Sequence, residues 1–354
     1  MGFGPGRPSR SNGVLARTAR RAREVARGVP WWLWIPLRCA ALLLAVSAVT
    51  FFLVGVSPID PVQANVGQSA LLAMSAEKRA ALAEYWGVGE PIAERFARWL
   101  SAALHGDLGY SLRFNAPVVE VVGERFAASS LLLITAWLLS GALGFLLGLL
   151  AGSRRGSWVD RLIKSCCYLL CATPAFWIAL LALMVFAVYL GWFPIGFSAP
   201  IGVAAHDVGI ADKLHHIVLP ALTLALTGVA PIALHTREKC IDVMQGDYMR
   251  FAESRGESRR QVLCRHGLRN IALPAVMLHL ASLSEIFGGS ILIEQVFSYP
   301  GLGQAAVTAG LGGDAPLLVG IALASALLVF SGNVLADALA MLMDPRMRKG
   351  ARRG

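Results

Sequence analysis

Uncharged apolar runs dominate this chain, rather than the alternating or one-faced patterns of soluble elements. A membrane-crossing helix needs roughly 20 mostly apolar residues. Cys39–Val56 carries no charge, and Trp31, Trp32 and Trp34 precede it like an interfacial belt. Ala127–Gly152 and Ser165–Ala205 are also uncharged throughout, and the second is too long for one helix. That longer run is broken by Gly191-Trp192-Phe193-Pro194, so it predicts a helix to about Leu190 followed by an apolar loop. Ile217–Leu234, Ile271–Ile293 (with His279 and Glu285 inside it) and Ala315–Ala336 complete six predicted spans. The first run stays apolar past Ser47-Ala48 to Val56, which reads as an uncleaved first span rather than a signal peptide.

Composition agrees with that picture. Of 354 residues, 56% are hydrophobic and 15% charged, with a mean hydropathy of +0.60. A soluble domain runs nearer one quarter charged, and so hydrophobic a chain is not disordered. The net charge of +10 raises nucleic acid as a partner, but its distribution removes that reading. With six spans, 25 of the 32 Lys and Arg fall on the side that holds both termini, loop 153–164 and loop 236–270. That side is expected to be cytoplasmic. The other side carries 12 acidic and 7 basic residues, a net of about −5, when Glu294 and Asp314 are counted with it. The basic excess therefore records orientation in a lipid bilayer. None of the six cysteines lies in a segment assigned outside, so no disulfide framework is implied.

The expected layout is an all-α integral membrane protein. It comprises a basic tail over 1–30, a first transmembrane helix over 31–56 and an extracytoplasmic helical segment over 57–126. A five-helix core over 127–343 and a cytoplasmic tail over 344–354 follow. Segment 57–126 reads as two short helices. Ser75 can cap one, with Glu77 in its first turn, and Pro91 can open the other. Ile92, Phe96, Trp99, Leu100 and Ala103 form an apolar stripe before Gly106, expected to pack on the membrane domain.

Loop 236–270 carries the most information. Asp247 can cap a short helix starting at Tyr248, Gly256 can stop it in a left-handed turn, and Ser258 can cap the next helix. A two-turn helix that presents Tyr248 and Phe251 among charges suits docking into a partner's groove. Helical spacing puts Ala252 on the face of Tyr248.

The same loop reads Asp247-Tyr-Met-Arg250-Phe-Ala252…Gly256…His266-Gly-Leu268-Arg-Asn270…Pro274. It resembles the cytoplasmic loop of binding-protein-dependent ABC permeases, above all the dipeptide, oligopeptide and nickel branch. Gly106-Asp-Leu-Gly-Tyr-Ser111, Gly288-Gly-Ser-Ile-Leu-Ile-Glu-Gln-Val-Phe-Ser-Tyr-Pro-Gly-Leu-Gly303 and Asp344-Pro-Arg346 resemble further motifs of that branch, in the same order. The resemblance spans Ser57 to Arg346. It implies a type I ABC importer permease fold with six transmembrane helices and both termini cytoplasmic. It also implies a second homologous permease, two ATP-binding subunits, an extracytoplasmic solute-binding protein and a bacterial inner-membrane location. The coupling residues it implies are Asp247, Tyr248, Arg250, Phe251, Ala252, Gly256 and Pro274. Glu285, Gly288 and Gly289 would border the translocation path. Peptide is the first substrate class implied; nickel, metal chelates and opines are the alternatives. No cofactor is implied. The chain has no GxxxxGK[ST] loop, so ATP hydrolysis is expected in partner subunits and not here.

Two rival classes fit the residues less well. An ion-coupled transporter would use Glu285, but His279 lies about 240° away around a straight helix. A membrane enzyme or metal site would draw on His206, His215 and His216, yet adjacent histidines do not face together on a helix.

Overall fold

The structure is a computed structural model that describes residues 31–57, 61–66, 72–85, 90–111, 113–200 and 208–343. The expectations for the tail 1–30, for His206 and for 344–354 with Asp344-Pro-Arg346 lie outside the described residues.

Helices build the described fold, with one small hairpin. In chain order they are α1 (Trp31–Val56), α2 (Pro61–Val66), α3 (Ala76–Tyr85) and α4 (Ile92–Leu104). Strands β1 (Tyr110–Ser111) and β2 (Ala116–Pro117) pair antiparallel, Tyr110 opposite Pro117. Then come α5 (Val118–Ser153), α6 (Trp158–Ala172) and α7 (Ala175–Ala182), which runs on as π-helical turns over Leu183–Tyr189. They are followed by α8 (Ile210–Met244) and α9 (Asp247–Ser254). A short α10 (Arg259–Val262) passes through the π-turn Leu263–Gly267 into α11 (Leu268–Ala281). The last elements are α12 (Leu283–Val296), α13 (Leu302–Leu311) and α14 (Ala315–Met343).

Four helices are long and apolar enough to cross a membrane: Pro36–Val56 within α1, then α5, α8 and α14. Two bent pairs make six if each is one span. The first pair, α6 with α7, bends by 108° at Thr173-Pro174. The sequence predicts one helix to Leu190, so this is a correction. Proline removes a backbone donor and pushes its predecessor extended, and Thr173 sits at φ −97, ψ 127. The second pair, α11 with α12, bends by 51° at Ser282, inside the run read as one fifth span.

Helices also outrun the apolar runs that announce them. α5 starts at Val118 instead of Ala127, and α8 extends to Met244 instead of Leu234. Charge ends an apolar run without ending a helix: Glu120, Glu124 and Arg125 occupy the opening turns of α5, where the Arg125 guanidinium lies 4.9 Å from the Phe114 ring centroid. Among its described residues, segment 57–126 accordingly holds α2, α3, α4, the hairpin and the start of α5, more than the two helices expected. Its local signals do hold. The Lys78 amide donates to Ser75 Oγ at 3.3 Å, and Gly106 ends α4 at φ +88. The α4 stripe packs on Phe51 of α1 and Val319 of α14.

The central contact joins α5 to α8. Ser140, Gly144, Gly148 and Gly152, four residues apart, are buried against Gly228, Ile232, Thr236 and Cys240. A β-carbon at Gly152 would lie 2.6 Å from that of Cys240. Such small residues let two backbones touch where lipid offers no hydrophobic drive for association. Residue numbers rise together along both helices, so α5 and α8 run parallel. The end of α12 meets the start of α5, since Ser129 Oγ donates to Glu294. The start of α14 packs on Val118 and Val122, again at the start of α5.

Candidate functional site

Helix α9 stands at the end of the bundle where α5 and α8 finish. Gly246, with φ −66 and ψ 149, is its N-cap, and Asp247 occupies the first turn without a side-chain cap. This corrects the expectation that Asp247 caps. The carboxylate still stands where the helix dipole favours a negative charge. Gly256 ends the turn at φ +88, and nothing lies within 4 Å of where its β-carbon would be. Only the backbone angle, not space, demands glycine there. Ser258 then opens α10 with a complete capping box: Gln261 N–H donates to Ser258 Oγ at 3.4 Å and Ser258 N–H to Gln261 Oε1 at 2.9 Å.

The inner face of α9 is Met249, fully buried, and Ala252, 7% exposed. They pack with Cys240 and Val243 of α8, Val262 of α10 and Ile271 of α11. Ala252 therefore does not share the exposed face of Tyr248, as helical spacing implies. A four-residue step overshoots one full turn by about 40°, and in so short a helix that offset carries Ala252 from the rim to the core. Gly267 admits the tip of Met249, whose Cε would lie 2.9 Å from an added β-carbon. Burying a methionine contributes on the order of 2 kcal/mol, enough to make α9 a fixed arm on α8 and α11. Its outer face presents Phe251, 64% exposed, with Tyr248, Arg250 and Arg255. Asn270 Nδ2 donates to the Tyr248 hydroxyl at 3.1 Å, tying that ring to α11. Pro274 lies inside α11, where it leaves the Asn270 carbonyl without its helical donor.

Behind α9 sits a buried ion pair that sequence reasoning missed. Arg237 of α8 donates through Nε to Asp160 Oδ1 at 2.5 Å and through Nη2 to Oδ2 at 2.9 Å. Asp160 also accepts from the Gly156 amide at 2.8 Å, and Arg237 pairs further with Glu238. Nothing in the spacing of two residues 77 apart announces this contact.

At the opposite end, Glu294 and Asp314 are both fully buried. The sequence counts them with a net-negative outer face; instead they act as internal caps. Glu294 accepts from Ser129 Oγ at 2.6 Å, Gly303 N–H at 2.7 Å and Gln304 N–H at 3.2 Å, at the start of α13. Leu302 N–H donates to Ser129 Oγ at 2.7 Å, closing the ring of bonds. Asp314 accepts from Ser111 Oγ at 2.7 Å and from the Arg113 and Leu317 amides, linking the hairpin to α14.

The remaining candidates are dispersed. Glu285 and Gly288 lie on the exposed side of α12, while Gly289 faces Leu224 at 3.5 Å. His279 stacks on Trp137, ring centroids 4.2 Å apart, across the bend from Glu285. His215 Nε2 is bonded to the Trp192 carbonyl and His216 Nδ1 to that of Asp212, each at 2.8 Å. Among the described residues no three His, Cys, Asp or Glu side chains converge as a metal site.

Residues 144–349, which include α8, α9 and the Glu294 cap, match the model of the family described as binding-protein-dependent transport system inner membrane component. The chain is 32% identical over 307 residues to the oligopeptide transport system permease protein AppB of Bacillus subtilis (strain 168), covering 86% of this chain and 95% of that protein. It is 33% identical over 335 residues to a putative peptide transport system permease protein of Brucella abortus (strain 2308), covering 94% and 99%. It is 32% identical over 306 residues to the glutathione transport system permease protein GsiC of Escherichia coli O6:H1, covering 86% and 94%. With a family match over more than half its length and relatives aligned over most of both chains, this chain belongs to the binding-protein-dependent transport system inner membrane components, the permease subunits of ABC importers.

Proposed function

We propose that this chain forms half of the path by which peptides delivered by an external binding protein cross a bacterial inner membrane. A second permease completes the path and two separate ATP-binding subunits drive it. The similarity to oligopeptide, peptide and glutathione transport permeases supports a peptide cargo. The observation that carries the mechanism is α9: an arm anchored through Met249 and Ala252 that presents Phe251 and Tyr248 outward. Closure of the ATPase subunits would push on that outer face. The buried inner face and the Asp160–Arg237 pair would pass the displacement to α8, α6 and α11 as a rigid-body movement.

The test uses Phe251→Ala, which removes exposed docking surface, and Gly256→Val, which puts a β-branched residue at φ +88. Both are expected to insert at parental abundance while peptide uptake falls at least tenfold and the ATPase subunits no longer co-purify. Parental uptake by both variants would reduce the loop to a linker.

Six crossings with both termini cytoplasmic complete the proposal. The parallel run of α5 and α8 supports it, because the intervening α6–α7 pair must then return across the bundle once. Cysteines introduced at Lys78 and Arg255, with Cys264 replaced by Ser, test orientation. An impermeant maleimide applied to whole cells should label the first site and spare the second; labelling at position 255 would invert the topology.

A further inference from the structure

A cavity of about 920 Å³ opens beside α9, between the last turns of α5 and α8 and the start of α10. One wall is apolar, built from Leu146, Leu149 and Leu150 of α5 with Leu263. The other is basic, with Arg154, Arg155, Arg259 and Arg260. Only Glu253 opposes them, and it is paired with Arg259 at 3.3 Å. Among the described residues Arg154, Arg155 and Arg260 carry no ion pair. These three exposed guanidinium groups concentrate positive charge at the mouth of one cavity, a field that attracts an anion.

The apolar wall indicates which anion. Leu138, Leu146 and Leu150 lie on one exposed row of α5 at four- and eight-residue steps, and Arg154 ends that row. The cavity is therefore continuous with an exposed apolar surface of a helix long enough to cross a membrane, and the arginines stand where that apolar surface stops. A free phosphate would satisfy the arginines and leave the leucine wall empty. A docked protein segment would need acidic groups to meet the arginines, and it would have to cover the exposed leucine row that runs on along α5.

We propose that this cavity is a binding site for an anionic phospholipid of the inner leaflet. Its phosphate is held by Arg154, Arg155 and Arg260, and the upper parts of its acyl chains lie on Leu146 and Leu150. Basic pockets between membrane helices hold anionic headgroups by the same combination of charge and depth. The bound lipid would wedge α10 against α5 beside the arm that α9 forms.

Cys264 lines the cavity and is an exposed thiol, which supplies a native reporter. Full-length protein in neutral detergent would be titrated with phosphatidylglycerol, with phosphatidylcholine and with inorganic phosphate. Lipid retention would be read by native mass spectrometry, and maleimide labelling of Cys264 by peptide mapping. Phosphatidylglycerol should be retained and should slow Cys264 labelling at least about fivefold, while phosphatidylcholine and phosphate do neither. The triple variant Arg154→Gln/Arg155→Gln/Arg260→Gln should bind phosphatidylglycerol at least tenfold more weakly, given about fivefold per basic residue at a membrane surface. The corresponding triple lysine variant should bind as the parent does, and Arg79→Gln/Arg98→Gln, at the opposite end, should have no effect. Equal retention by the glutamine variant, equal protection by inorganic phosphate, or protection of Cys264 only when ATPase subunits are added would each overturn the proposal.

Discussion

Arg237→Met should destabilise the protein by about 3–5 kcal/mol, the cost of leaving a buried carboxylate without its ion partner. Asp160 is 2% exposed and, among the described residues, would keep the Gly156 amide as its hydrogen-bond donor, with the Lys164 charge one turn away. The loss falls where α6, α8 and the root of α9 meet, so uptake should fall with stability. The double variant Asp160→Leu/Arg237→Met removes both charges and should recover to within about 1–2 kcal/mol of the parent, because the desolvation cost of the pair disappears with its attraction. Thermal unfolding of the purified protein, followed by tryptophan fluorescence in one detergent, distinguishes these outcomes. A single variant that melts like the parent would mean that Asp160 reaches water and the pair is not a buried strut.

Glu294→Ala should be comparably severe at the other end. It strands Ser129 Oγ–H and the Gly303 and Gln304 amides, all now bonded to one carboxylate. Each buried donor left unmade costs about 1–3 kcal/mol, so a total of about 3 kcal/mol or more is expected. Glu294→Gln keeps a carbonyl oxygen for the two amides and turns an NH2 toward Ser129, and should lose only about 1 kcal/mol. The contrast separates the cap from simple packing: a packing role would make Gln neutral and leave Ala dependent on volume alone. Unfolding midpoints for the three proteins decide between them, and equal midpoints for Ala and Gln would remove the capping role.

Much of this chain was legible because a bilayer imposes a one-dimensional rule. Uncharged runs of sufficient length mark where helices cross, and the skew of Lys and Arg supplies an expected orientation. The local grammar around α9 was equally readable. Gly256 at φ +88 and the Ser258–Gln261 capping box depend on residues three or four apart, and such signals survive any packing. Helix ends were not readable in this way. Charge stops an apolar run at Ala127 and Leu234, but the backbone continues its hydrogen bonds from Val118 and on to Met244.

Contacts between distant residues were decided by tertiary structure alone. Asp160 and Arg237 are 77 positions apart and Ser129 and Glu294 165. Their charges count identically in any topology until the helices are placed, and Glu294 passed for an exposed acid until the α5–α12 contact buried it. Ala252 shows the same limit over four residues. Its angular step from Tyr248 is the same in every helix, but which side of that offset is buried depends on where α8, α10 and α11 stand. Read alone, the chain showed apolar helices long enough to cross a membrane, the glycine stop that ends α9, and the family of permeases these features resemble. The fold decided which polar side chains became internal struts and which stayed free to meet a partner, because burial is a property of neighbours and not of the residue that is buried.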